Sequence, residues 1–230
     1  EGMSGTYEYV PVTGPMGNPV KARYGILPDQ TVVMEMAEAS GITLVKEPLN
    51  PWKAASTGVG EMILDAVQKG CRKFIIGIGG SATTEGGIGM LSALGYDFMD
   101  ENGDRLSPVF DSLEKVVQIK NNRVPEVLKD CHFQIACDVT NPLCGAQGCV
   151  YVFGAQKGVK EEEKESMDRA MQSYAACLEK FTGKKLSEIP GTGAAGGLGF
   201  AFLWGLPNVE LKPGIDIVLE AVGLTNELKD

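Results

Sequence analysis

The stretch Lys73–Gly95 constrains the fold of this chain more than any other part of the sequence. It begins with an apolar, β-branched run at 74–78, whose length and composition predict a strand buried on both faces. Closely spaced glycines and hydroxyl residues follow. Apolar residues then recur at helical spacing until Gly95, which suits the end of a helix. The stretch therefore predicts a strand, a tight glycine-rich turn and a helix in direct succession.

The turn in this stretch is a candidate anion site. Gly79 and Gly80 allow the backbone to approach a ligand closely, and Ser81 and Thr83 supply hydroxyl groups. Unpaired N–H groups and the positive end of the helix would face the same point. No lysine follows the glycines as in a P-loop, and the spacing is not that of a dinucleotide-binding turn. Close packing of the helix on the sheet is an equally good explanation of the glycines.

The remaining sequence predicts alternating strands and helices, as in an α/β fold whose sheet is flanked by helices. Strands are predicted at 7–12, 20–26, 31–36, 74–78, 96–99, 116–119, 133–139, 149–153 and 209–211, the first two as a hairpin. Helices are predicted at 37–41, from 56 or 57 to 70, from about 161 to 181, and from 212 onward. Because no repeat or flexible linker interrupts this pattern, a single α/β domain is predicted over 1–230.

Composition narrows the function. A net charge of −9 argues against nucleic acid as a partner, although a few N–H groups and one lysine could still hold a small anion. Six cysteines without a Cys-x-x-Cys pair, and the single His132, favour reduced thiols in a cytoplasmic protein. No apolar run approaches the ~20 residues of a membrane helix. The sequence is compatible with a homo-oligomer, and its Glu-Gly-Met start suggests a piece of a longer protein.

Chemistry in such a sheet is expected at the carboxyl ends of the strands. Four segments should meet there: Gly79–Gly87, Asp138–Asn141, Gly154–Gly158 and Gly191–Gly199. Together they offer Ser81, Thr83, Glu85, Asp138, Asn141, Gln156 and Lys157. This set can bind an anion, hold Mg²⁺ through a carboxylate and accept a proton from a hydroxyl. Phosphoryl transfer fits it best, because one histidine leaves little room for a Ser-His-Asp triad or a zinc site.

Each candidate also has a purely structural explanation. Glu85 could complement a helix N-terminus, and Asp138 could cap the turn after its strand. Lys157 could be an exposed loop lysine, and Asn141 before a proline is a common turn residue. The small residues around Gly196 and Gly197 could serve close packing as well as ligand contact. The convergence of the candidates therefore carries the functional prediction.

Three blocks of the chain resemble the signatures of the bacterial glycerate kinases that phosphorylate the 2-hydroxyl group. The first is Gly77-Ile-Gly-Gly-Ser-Ala-Thr83 with the glycines up to Met90. The second runs from Cys137-Asp-Val through Asn141-Pro-Leu to Gln156-Lys-Gly158, and the third comprises Gly193–Gly199 and Pro213–Glu220. Shorter similarities precede them at 12–15, 35–41 and 57–61. The resemblance is collinear and covers essentially the whole chain.

The resemblance implies phosphorylation of D-glycerate to 2-phosphoglycerate with ATP and Mg²⁺. It also implies two α/β domains, one built from both ends of the chain and one inserted from the middle. This sequence matches only the middle. The expectation is therefore the inserted, substrate-side domain, with a mixed sheet flanked by helices, which is inactive without the nucleotide-type domain.

Under this resemblance Asp138 and Lys157 are the predicted catalytic residues, and Asp138 is the predicted metal ligand. The predicted substrate-binding residues are Gly79, Gly80, Ser81, Thr83, Glu85, Asn141, Gln156, Gly196 and Gly197. Two positions depart from the pattern, since Thr84-Glu85 stands where Asn-Asp is expected and Ala155 where proline is usual. A non-catalytic organic-acid-binding module and an unrelated nucleotide-dependent oxidoreductase are the alternatives.

Overall fold

The computed structural model of the chain describes residues 5–46 and 48–221. In this part, a six-stranded sheet has the order β1-β2-β3-β4-β7-β8, and a separate two-stranded sheet pairs β5 with β6. The strands are β1 Thr6–Thr13, β2 Pro19–Ile26, β3 Thr31–Glu35, β4 Lys73–Gly77, β5 Asp97–Met99, β6 Gln118–Lys120, β7 His132–Ala136 and β8 Val209–Lys212.

Helices of unequal length connect these strands. They are α1 Ala37–Ser40, α2 Thr57–Gln68, α3 Ile88–Ala93, α4 Cys149–Phe153, α5 Lys164–Thr182, α6 Ala194–Gly205 and α7 Gly214–Ala221. Short 3₁₀ turns occupy Ile42–Leu44, Phe110–Lys115, Glu126–Asp130, Ala155–Lys157 and Glu161–Glu163. The prediction of a mixed sheet flanked by helices is confirmed.

The large sheet combines antiparallel and parallel pairing. β1, β2 and β3 are antiparallel neighbours, so the predicted N-terminal hairpin is confirmed. β3, β4, β7 and β8 run parallel to one another. Their carboxyl ends therefore lie along one edge of the sheet, and the loops that follow them gather at that edge.

One face of the large sheet forms the core. Alternate residues of the parallel strands are buried on it, among them Phe74, Ile76, Phe133 and Ile135. The rings of Phe74 and Phe133 stack across neighbouring strands at 4.8 Å between centroids. The apolar side of α2 is buried as well, which gives that helix the amphipathic pattern seen in the sequence. On the opposite face, α7 contacts β7, and the side-chain amide of Gln134 donates to Glu220.

The predicted strand at 149–153 is wrong, because this segment is the short helix α4. The amide of Val152 donates to the carbonyl of Gly148, and the amide of Gly154 donates to that of Val150, which are helical bonds. Cys149 and Val150 are buried whereas Val152 is 43% exposed, so only one side of the segment faces the core. The periodicity of a short apolar run does not distinguish a strand from a helix. Tertiary packing decides which of the two forms.

Candidate functional site

A cleft of about 370 Å³ opens at the carboxyl edge of the parallel strands. Residues from each of the four predicted segments line it, so their predicted convergence is confirmed. The lining residues are Ile42, Ile78, Gly79, Gly80, Ser81, Ala136, Cys137, Asp138, Val139, Phe153, Gln156, Lys157, Ala194 and Ala195. Of the predicted site residues, the structure brings together Gly79, Gly80, Ser81, Asp138, Gln156 and Lys157 at this cleft.

Lys157 is the most unusual side chain of the cleft, because it is only 2% exposed. Its amine donates to the hydroxyl oxygen of Ser81 at 2.7 Å and to the carbonyl oxygen of Thr83 at 2.6 Å. Both acceptors are neutral, and among the described residues no carboxylate lies within ion-pair distance of the amine. Burial lowers the pKa of Lys157 to about 8, against the opposing influence of Cys149 and Glu85. The exposed loop lysine considered from the sequence is therefore wrong.

The loop after β4 presents main-chain donors beside this lysine. Gly79 and Gly80 are exposed, and a Cβ atom on Gly79 would meet no atom within 4 Å. The carbonyl of Gly80 accepts from Ile42, and the amide of Ala82 donates to Ser40, which ties the loop to α1. Within residues 5–46 and 48–221, the amides of Gly79 and Gly80 donate to no main-chain or side-chain acceptor. Exposed N–H groups and a buried amine at one cleft are the chemistry of an anion site.

Asp138 follows β7, the neighbour of β4 in the sheet, and is exposed at the cleft. Its Oδ1 atom accepts the amide of Gly214 at 2.8 Å, so the carboxylate caps the first turn of α7. The structural role considered from the sequence is thus present, and the second carboxylate oxygen stays available to a ligand. In the described part of the chain, no three His, Cys, Asp or Glu side chains come together as a metal site. Asp138 would therefore be the sole acidic ligand that this cleft offers a cation.

Glu85 does not line the cleft. It is fully buried and accepts hydrogen bonds from the Ser56 hydroxyl and from the amides of Ser56 and Gly87, both at 2.8 Å, and of Gly89 at 3.3 Å. Burial raises the pKa of this carboxyl group, and the four hydrogen bonds oppose the rise. Glu85 therefore holds the loop, α2 and α3 together. The sequence indicated a helix-terminus role but gave no sign of the bonds to Ser56.

Gly196 and Gly197 serve close packing, which was the second explanation that the sequence offered. A Cβ on Gly196 would stand 2.1 Å from the carbonyl oxygen of Thr83, and one on Gly197 would stand 2.7 Å from the Cα of Gly86. The amide of Gly86 also donates to the carbonyl of Gly196 at 2.9 Å. Gly196 and Gly197, in the first turn of α6, thus pack against the loop and do not line the cleft.

Two other predicted site residues also lie behind the cleft wall. The Thr83 side chain is fully buried, and only its carbonyl takes part in the site, through Lys157. The side-chain amide of Asn141 donates to the carbonyl of Gln147, and its own carbonyl accepts the amides of Gly191 and Gly193. Asn141 therefore shapes the turn after β7.

The cleft also contains residues that the sequence analysis did not single out. Ile42, Phe153 and Ala195 form apolar parts of the wall. Ala195 has a φ of 51° and begins a left-handed stretch that continues through Gly197. A left-handed alanine costs about 1 kcal/mol or more, and nothing in its sequence context signals it. Apolar residues such as Ile42 and Phe153 look like core residues until the fold places them.

The fold and the cleft together define an α/β protein with a candidate anion site at the carboxyl ends of parallel strands. Comparison with known proteins then identifies the family. The family model described as "Glycerate kinase family" matches residues 1–230. This chain belongs to the glycerate kinase family, as its sequence blocks predicted.

Individual relatives agree with this assignment. Glycerate 2-kinase of Escherichia coli is 43% identical over 221 residues, which make up 95% of this chain and 58% of the relative. Glycerate kinase of Halalkalibacterium halodurans is 38% identical over 232 residues, covering all of this chain and 61% of the relative. A crystal structure described as putative glycerate kinase 2 from Salmonella typhimurium LT2 superposes with a TM-score of 0.92 at 40% identity, covering 96% of this chain and 59% of that one.

This chain therefore spans about three fifths of the length of these relatives. No helix in the described part of the chain has the length and apolar character needed to cross a membrane.

Proposed function

We propose that this chain is the substrate-side domain of a glycerate 2-kinase, which phosphorylates the 2-hydroxyl group of D-glycerate. The observation that carries the proposal is the buried amine of Lys157 facing neutral oxygens beside the exposed amides of Gly79 and Gly80. A buried cation without a carboxylate partner is costly, and an incoming anion would offset that cost. Because the chain belongs to the glycerate kinase family, we propose that the anion bound here is the carboxylate of glycerate.

In this proposal the residues of the cleft have separate roles. Lys157 and the amides of the 79–81 loop hold the glycerate carboxylate. The carboxylate of Asp138 orients the 2-hydroxyl group and accepts its proton as the oxygen becomes a nucleophile. Gln156 lines the same cleft, is exposed, and supplies a further polar contact.

ATP and Mg²⁺ complete the proposed reaction. Mg²⁺ keeps most of its waters in proteins and binds through one or two carboxylates together with substrate phosphates. A single exposed carboxylate in the cleft, Asp138, fits that mode of binding, with Mg²⁺ supplying charge stabilisation for phosphoryl transfer. We place the ATP site outside this chain, so we expect the chain alone to bind the acid without turning it over. We also expect a cytoplasmic enzyme, since all six thiols are unpaired.

A thermal-shift titration of this chain against D-glycerate, Mg-ATP and NAD, each alone, tests the proposal. D-glycerate alone should raise the melting temperature, because a ligand that binds only the folded state stabilises it. The Lys157→Met variant should lose this response, and the exposed-site variant Lys184→Met should keep it. A rise with Mg-ATP would place the nucleotide in this domain and contradict the proposal. A rise with NAD would favour the oxidoreductase alternative, which family membership does not support.

A further inference from the structure

The described part of the protein gives the amine of Lys157 two hydrogen-bond acceptors and no counter-charge, which is one acceptor fewer than an ammonium group can use. A neutral lysine has two N–H donors and a lone pair, whereas the ammonium form has three donors. The protein supplies two acceptors, the hydroxyl oxygen of Ser81 and the carbonyl oxygen of Thr83. The third N–H of an ammonium group has no acceptor among the described residues, and Lys157 lines the cleft.

We infer that the cleft takes up a proton when it binds an anionic group, and that the amine of Lys157 accepts this proton. The anion supplies the missing third acceptor and a compensating charge, so the ammonium form becomes stable only in the complex. The proton comes from the solvent buffer. The inference rests on the anion site of the proposed function, and it adds that affinity is linked to pH.

The titratable groups around Lys157 are two thiols and two carboxyl groups. On α4, burial raises the pKa of the Cys149 thiol to about 12. Burial also raises the pKa of the Cys137 thiol at the cleft, so both thiols stay protonated. Burial raises the pKa of the Glu85 carboxyl group, and its four hydrogen-bond donors favour the charged form. Asp138 lines the same cleft and accepts the amide of Gly214.

The geometry agrees with the electrostatics of burial, which bring the pKa of Lys157 to about 8. At pH 8 about half of the ligand-free molecules would carry the neutral amine, and binding would convert them to the ammonium form. Because proton uptake and anion binding are linked, the affinity of the cleft for the anion should fall about tenfold between pH 7 and pH 9. Below pH 7 the amine is already protonated, so binding takes up almost no proton.

Isothermal titration calorimetry of this chain in two buffers of different ionisation enthalpy measures the uptake directly. D-glycerate and inorganic sulfate are suitable probes, because neither titrates between pH 6.5 and pH 9. We expect about half a proton taken up per anion at pH 8 and almost none at pH 6.5. Lys157→Met should abolish the uptake, and Lys184→Met should leave it unchanged.

The outcomes separate this inference from the proposed function. If D-glycerate binds at pH 8 without proton uptake, the inference is overturned and the substrate assignment stands. If sulfate binds with uptake and D-glycerate does not bind, the inference stands and the assignment fails. If neither anion binds, both are overturned.

A second measurement keeps the inference testable if Lys157→Met does not fold. The lysine Cε resonances of the wild-type chain can be followed by NMR against pH without any ligand. The resonance of Lys157 should titrate with a midpoint near pH 8, and this midpoint should rise when sulfate is added. A midpoint above 10 in the ligand-free chain would overturn the inference.

Discussion

The carboxylate of Glu85 accepts the amide of Ser56 at 2.8 Å, joining segments that are 29 residues apart in the chain. The hydroxyl of Ser56 donates to the same carboxylate and accepts the amide of Met90 at 3.0 Å. One buried side chain thus fixes the beginnings of α2 and α3 relative to the loop that carries Ser81. The position of the cleft loop depends on this contact, although Glu85 itself lies outside the cleft.

Replacing Glu85 with alanine should lower the free energy of unfolding by about 3 kcal/mol or more, because buried donors would lose their acceptor. Glu85→Asp should have a smaller effect, since its shorter side chain can keep some of the four bonds. Urea denaturation measures both variants. The exposed Glu162 provides the control, with Glu162→Ala expected within about 0.5 kcal/mol of wild type. Wild-type stability in Glu85→Ala would contradict the bracing role.

The burial of Lys157 should appear in the pH dependence of stability. Its pKa falls from 10.5 to about 8 on folding, so between these pH values the unfolded state binds more protons than the folded state. The contribution of this group to the free energy of unfolding should therefore rise by roughly 2–3 kcal/mol from pH 8 to pH 10.5. Lys157→Met removes this contribution, so the difference between wild type and variant should shift by that amount in favour of wild type. A constant difference across this pH range would show that the amine titrates normally in the folded chain.

Gly196 should tolerate no side chain. It has a φ of 68°, and a Cβ atom would clash with the carbonyl oxygen of Thr83. Gly183 is a matched control, because its φ is 73° but no atom lies within 4 Å of its Cβ position. Gly183→Ala should cost about 1 kcal/mol from backbone strain alone. Gly196→Ala should cost at least about 2 kcal/mol more in the same denaturation experiment, and equal losses would argue against the close packing.

Gly79 should behave in the opposite way. Its φ lies outside the left-handed range and its Cβ position is open, so Gly79→Ala should change stability by less than about 0.5 kcal/mol. The added methyl group would stand beside the amides that we assign to the anion. We therefore expect at least about tenfold weaker binding of D-glycerate, measured by calorimetry. Unchanged affinity would remove Gly79 from the site.

Substitutions of Asp138 can separate its structural role as the cap of α7 from its proposed role in catalysis. Asp138→Ala should cost about 1 kcal/mol, because the amide of Gly214 loses its acceptor, whereas Asp138→Asn keeps an acceptor and should cost less. When the chain is assayed within a full-length glycerate kinase, both variants should lose at least about 100-fold in kcat, since neither can accept a proton. Turnover at the wild-type rate in Asp138→Ala would rule out the proposed role.

The sequence predicted most of the architecture because its signals were local. The β1–β2 hairpin, the buried strand β4 and the helix ended by Gly183 follow from hydrophobic period and glycine position. The boundaries were less accurate, since the helix expected from about residue 161 begins with a 3₁₀ turn before α5 starts at Lys164. Convergence at the carboxyl edge followed from the geometry of parallel sheets.

The details of the site were harder to predict because they depend on distant contacts. The burial of Lys157 requires the loop after β4 to cover it, and a loop lysine in a sequence looks exposed. Glu85 appeared to be a ligand residue because Ser56 is remote in the chain. Gly196 offered two explanations until its contact with Thr83 was known. The sequence therefore located the cleft but could not divide its residues into those that bind and those that support.

The bond between Lys157 and Ser81 joins positions that are 76 residues apart. Contacts of such long range carry a large loop-closure entropy and tend to form late during folding. An anion bound at this cleft would then stabilise the finished structure but hardly the folding transition state. Its kinetic signature would be slower unfolding at an unchanged refolding rate, so that ligand lengthens the lifetime of the native chain without helping it to form.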